Sequence, residues 1–249
     1  MRKNLFFTYI TVFLFSAVHA QEAIHNAAKA GDLDSVKKLL TADTSLLNRK
    51  DKSGLTPLHY ASSKSLEVVT YLIEKGANVN AKSKNGTTPL YSCARFGQTI
   101  IAKFLLEHGA DINARSDGGS PLHQAVYRSP KELVELFLSY KPDLTITDKE
   151  GQTVMHVAAV WNNYEIYPLL IAAGGNINAK DNAGNTPLHS CQSFMDDKST
   201  YFPETGALLI QNKALLNERN NAGLTPLGLA IQKGAMEMVK ILNEAGAKE

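Results

Sequence analysis

The histidines and cysteines of this 249-residue chain are its most chemically capable side chains, and they are placed periodically. His25, His59, His123, His156 and His189 occupy one recurring position, about 33 residues apart or twice that. A row of imidazoles suggests zinc, but zinc ligands converge to about 2 Å from one ion. Equivalent positions on stacked helices stand roughly 8 to 10 Å apart. Each histidine is therefore expected to brace its own turn by hydrogen bonding, with no metal and no cofactor. Cys93 and Cys191 share another recurring position, three repeats apart. That is on the order of 25 Å, beyond the roughly 7 Å Cα limit of a disulfide, so both read as small buried thiols. Asp196-Asp197 pairs two carboxylates with no adjacent base or nucleophile and reads as solvated loop charge. There is no Gly-x-Ser-x-Gly, His-Glu-x-x-His, Cys-x-x-Cys or phosphate-cradling glycine loop, so no catalytic residue is expected.

Charge excludes a second class. Lys and Arg number 26 against 24 Asp and Glu. Arg2 and Lys3 lie in the first twenty residues, so the remainder holds 24 of each sign and carries no basic footprint for nucleic acid. Those twenty residues have a basic head, the apolar run Leu5 to Val18, and Val18-His19-Ala20 before Gln21. This is the layout of a secretory signal peptide cleaved after Ala20. The run is shorter than the roughly 20 residues a membrane span needs. Residues 21–249 are expected to be an exported, membrane-free chain, monomeric when unbound.

The elements that position these residues are repeats. Gly54-Leu55-Thr56-Pro57-Leu58-His59 returns from Gly86, Gly118, Gly151, Gly184 and Gly223, at spacings of 32, 32, 33, 33 and 39. A second echo, Gly76-Ala77-Asn78-Val79-Asn80, returns at Gly109 and Gly174 and ends at Gly246-Ala247. Looser forms occur at Lys141 to Thr145 and at Lys213 to Asn217. Between the echoes lie two short apolar-periodic stretches, such as Pro57 to Ser62 and Leu66 to Glu74. Thr followed by Pro starts a helix, and Gly stops one. Helices this short are stable only when stacked on neighbours.

The recurring Thr-Pro-Leu-His-x-Ala and Gly-Ala-Asp-x-Asn patterns resemble the ankyrin repeat family over residues 22–249. Ile24-His25-Asn26-Ala27-Ala28 supplies a first unit without a hairpin. The resemblance implies an all-α ankyrin-repeat solenoid of about seven helix-turn-helix units with short β-hairpin loops. The units run approximately over 22–50, 51–82, 83–115, 116–147, 148–180, 181–219 and 220–249. Val154 replaces the proline in one unit, and the unit over 181–219 carries about six extra residues in Met195 to Pro203. That insertion includes the aromatics Tyr201 and Phe202, and insertions in repeat arrays are often functional.

In the family the concave face, built from hairpin tips and exposed inner-helix positions, binds other proteins. Carried over by position, those sites are Lys64, Arg95, Phe96, Tyr127, Arg128, Val160, Trp161 and Phe194, joined by Tyr201 and Phe202. Trp, Tyr and Arg are the residues enriched in interface hot spots, and Trp161 is the sole tryptophan. The expected function is non-enzymatic: a periplasmic module that docks one protein and inhibits, neutralises or protects it, as an immunity protein does against a toxin or cell-wall hydrolase. The alternatives are a secreted effector that binds a host protein and an accessory stabiliser of a periplasmic redox enzyme such as catalase.

Overall fold

The computed structural model describes residues 22–191 and 203–249. The expected signal peptide over 1–20, Phe194, Tyr201, Phe202 and the insertion up to residue 202 lie outside the described residues. The chain divides at Ala114 and Arg115 into two compact parts.

The first part begins with α1 over residues 22–30, α2 (Leu33–Ala42) and a 3-10 turn, Thr44–Leu46. It continues with α3 (Pro57–Ala61), α4 (Leu66–Glu74), α5 (Pro89–Arg95) and α6 (Thr99–Glu107). The inner helices α3 and α5 pack on each other, and α4 packs on the outer helices α2 and α6. The second part repeats the plan. Its inner row is α7 (Pro121–Arg128), α9 (Val154–Val160), α11 (Pro187–Ser190) and α13 (Pro226–Lys233). Its outer row is α8 (Lys131–Ser139), α10 (Tyr167–Ala172), α12 (Pro203–Gln211) and α14 (Met236–Glu244).

Helix starts follow from the sequence. Thr88 and Thr225 accept the N–H of the third helical residue, Tyr91 or Gly228, and proline fills the first position. Thr56, Ser120, Thr153 and Thr186 form reciprocal capping boxes with His59, His123, His156 and His189. The helix at Val154 starts at the same point without proline because its capping box is complete. The apolar periodicity becomes the core: Leu58, Leu90, Leu122 and Leu188 on inner helices are fully buried or nearly so. Val68, Leu72, Leu105, Leu133 and Leu170 do the same on outer helices. Each such side chain contributes about 1.5 to 3 kcal/mol on leaving water.

The closings are left-handed helix stops. Gly76, at φ 87°, lets Ala77 N–H reach the Leu72 carbonyl at 2.9 Å. Where the sequence offers no glycine, Lys141 and Lys213 adopt the same hand at φ 51° and 64°. The expected hairpins are hydrogen-bonded turns. Among the described residues their only ladder-type pairing is one isolated bridge, Ser116 to Gly119. In that turn the positive φ falls on Gly119 rather than on Gly118, the residue that aligns with Gly54. A Cβ on Gly119 would stand 2.5 Å from the His123 ring, so the bridge needs glycine there.

Candidate functional site

The turns that carry the hairpin tips are tied by their own polar residues. Asp51 Oδ1 accepts the N–H groups of Ser53 and Leu55, both at 2.8 Å. Asp148, Asp181 and Asn220 hold their turns in the same way. Successive tips are joined by single backbone bonds. Lys84 N–H reaches Ser53 at 2.9 Å in the first part. In the second, Lys149 reaches Asp117, Asn182 reaches Glu150 and Asn221 reaches Ala183 at 2.9 to 3.0 Å. The tips are therefore fixed supports.

The histidines extend this bracing between repeats. His59 Nδ1 accepts Thr56 N–H at 3.1 Å, while its Nε2 lies 3.0 Å from the carbonyl of Thr87 in the next repeat. His123, His156 and His189 make the same bonds to Gln152, Asn185 and Leu224. The expectation of bracing within one turn thus captures half of the role. Burial pushes His59 and His123 down to about 4 and lowers His156 and His189 as well. Among the described residues, no group of three or more His, Cys, Asp or Glu is placed to hold a metal ion. Cys93 and Cys191 are free, buried thiols, both pushed up by burial.

The singled-out positions that lie among the described residues sit at or just beyond the C-terminal ends of inner helices. Lys64 is exposed beyond α3, and Arg95 ends α5. Phe96 is 57% exposed, with the Arg95 guanidinium 6.0 Å from its ring centroid. In the second part Tyr127 lies in the last turn of α7, Val160 ends α9 and Trp161 caps it. All three are half-buried. Tyr127 and Trp161 meet edge to face, 3.9 Å between centroids and 84° between planes. Arg128 ends α7, and its side chain lies outside what is described.

Arg95 and Phe96 also line a groove of about 540 Å³ in the first part that sequence reasoning missed. Its other walls include Lys29, Lys52, Lys84, Tyr60 and Tyr91, whereas Lys64 is outside it. The sequence signal for this groove is the recurrence of lysine at the tip positions Lys52 and Lys84, 32 residues apart.

The ankyrin repeat model of three copies matches residues 24–116, 76–148 and 122–199, most of the chain. Alpha-latrocrustotoxin-Lt1a of Latrodectus tredecimguttatus is 43% identical over 26% of this chain and 5% of its own length. A probable E3 ubiquitin-protein ligase of Oryza sativa subsp. japonica is 38% identical over 30% of this chain and 15% of its own. An ankyrin repeat protein of Monkeypox virus is 38% identical over 28% of this chain and 13% of its own. The chain thus spans a small fraction of the curated relatives it matches. Capped helix pairs, left-handed closings and the family match together place this chain in the ankyrin repeat family, a fold of protein-protein interaction.

Proposed function

We propose that this chain is an exported, non-enzymatic module that docks one protein partner and inhibits, neutralises or protects it, with the periplasm as its place of action. The reading of residues 1–20 as a signal peptide supports export. No helix among the described residues is long and apolar enough to cross a membrane. The observation that carries the binding role is the Tyr127–Trp161 pair, half-buried at the ends of two inner helices. Its rings are rigid, and burying what remains exposed adds apolar contact at little entropic cost. The relatives share only stretches of 65 to 78 residues with this chain, so their own activities do not transfer.

The test is capture of a partner from a periplasmic extract on the immobilised protein, followed by reconstitution with the purified partner and a mass measurement in solution. The expected outcome is a complex of one copy of each chain. Recovery of the protein in the cytoplasm with residues 1–20 intact would overturn the export reading. Absence of any stoichiometric complex would overturn the docking role.

A further inference from the structure

The near-zero overall charge conceals an uneven distribution. Residues 22–114 hold twelve Lys and Arg against nine Asp and Glu, whereas residues 115–249 hold twelve against fifteen. The excess of the first part is concentrated in its groove. Lys29, Lys52, Lys84 and Arg95 all line it, and no Asp or Glu does. All four are exposed, and none is in a salt bridge among the described residues. The backbones of Lys52 and Lys84 stand on turns fixed by hydrogen bonds, so the cations are presented from a rigid base.

Between the cations, Tyr60, Tyr91 and Phe96 supply apolar wall. The Tyr60 hydroxyl donates to Asp51 Oδ2 at 2.8 Å, and Asp51 Oδ1 is taken by two backbone N–H groups. That carboxylate is engaged in its turn and does not line the groove, whose own charged side chains are all cationic. The second part has a smaller groove on the equivalent face, about 300 Å³, where Lys233 shares the lining with Asp181. Mixed charge there gives no preference for either sign.

We infer that the groove lined by Lys29, Lys52, Lys84 and Arg95 receives an acidic segment of the protein partner, with an apolar or aromatic residue of that segment against Phe96 and Tyr91. This rests on the protein-docking role proposed above and names the chemistry of the partner. Four cations around one trough complement Asp and Glu side chains, and the aromatic walls give such a segment apolar contact that a bare polyanion lacks.

The test uses the purified protein and a fluorescein-labelled peptide of about twelve residues, rich in Glu and carrying one Phe, read by fluorescence anisotropy. Its counterpart has Gln in place of every Glu. The Glu peptide is expected to bind at least tenfold more tightly than the Gln peptide, and to weaken as salt rises from about 50 to 300 mM. Lys52→Glu with Lys84→Glu is expected to weaken it at least tenfold at an unchanged melting temperature. If that pair fails to fold, Lys52→Ala with Lys84→Ala is read instead, with at least threefold weakening expected. Equal affinity for the two peptides, or wild-type affinity in the folded variant, would overturn the inference. So would displacement of the peptide by a single-stranded oligonucleotide or phosphatidylglycerol vesicles at lower concentration than by unlabelled peptide. Failure of the wild-type chain to form a stoichiometric complex reports on the docking role, and loss of peptide discrimination reports on this groove.

Discussion

The imidazole of His59 joins two repeats: its Nδ1 accepts the N–H of Thr56, and its Nε2 lies 3.0 Å from the Thr87 carbonyl oxygen. A ring nitrogen that accepts an N–H carries no proton, so the proton sits on Nε2 and is donated to Thr87. The imidazole is neutral, and protonation at Nδ1 would set N–H against N–H. Four repeats share this arrangement, so the interfaces that hold the array together depend on neutral histidines.

Stability should accordingly fall in mild acid. The folded values of His59 and His123 are lowered to about 4 by burial, and those of His156 and His189 are lowered too. The unfolded chain takes up protons near pH 6.5 and the folded chain does not. The contribution is complete above about pH 6.5 and is lost as pH falls toward 4, each group adding up to about 1.4 kcal/mol per pH unit. Urea unfolding at pH 7.5, 6, 5 and 4.5 checks this. A flat profile across that range would show that the histidines are protonated in the folded state.

Removing one brace should cost more than an ordinary hydrogen bond. His156→Ala leaves the Asn185 carbonyl and the Thr153 N–H without their partner and opens a cavity in a fully buried site. A loss of about 2 to 4 kcal/mol is expected in chemical denaturation.

Gly175 has a packing reason. A Cβ there would stand 2.5 Å from Met155 Sδ and 2.9 Å from the Leu170 carbonyl oxygen. Gly175→Ala should destabilise by about 1 to 3 kcal/mol. Combined with Met155→Ala, the total should fall short of the sum of the two single changes by at least about 0.5 kcal/mol. Denaturation of the two single variants and the double variant measures that coupling.

Lys213 stands at φ 64° in a position where other repeats carry glycine, and a Cβ at the equivalent Gly76 meets nothing within 4 Å. The cost of lysine there is backbone strain alone. Lys213→Gly should raise stability by about 0.5 to 1 kcal/mol, seen as a higher melting temperature.

Local chemistry was legible in the sequence because it is local. Thr186-Pro187 announces a helix start, Gly76 and Gly109 announce stops, and the Leu58, Leu90 and Leu122 positions announce the core. What depends on the next repeat was not. Nothing in the Pro57-Leu58-His59 pattern says that Nε2 reaches 28 residues ahead to Thr87. Within one repeat, the pattern also does not say that fully buried Tyr167 of the outer helix donates its hydroxyl to the Met155 carbonyl of the inner helix at 2.6 Å. Thr205, just past the insertion, donates to Asn162 of the preceding repeat. Of the candidate site, Arg95 and Phe96 were found from their family position. Lys29, Lys52 and Lys84 were missed because net charge averages over parts of opposite sign.

The docking role turns on Trp161, half-buried and edge-on to Tyr127. Truncating a buried interface aromatic costs about 2 to 4 kcal/mol of binding, whereas in folding the change loses one aromatic pair, about 1 kcal/mol, and the contact of the part of the indole that is buried. The decisive measurement is the affinity of Trp161→Ala for the captured partner, taken beside its melting temperature. Binding is expected to be at least about thirtyfold weaker, with a melting temperature only a few degrees lower. A variant that melts far earlier yet binds normally once folded would place Trp161 in the scaffold and contradict the proposed site.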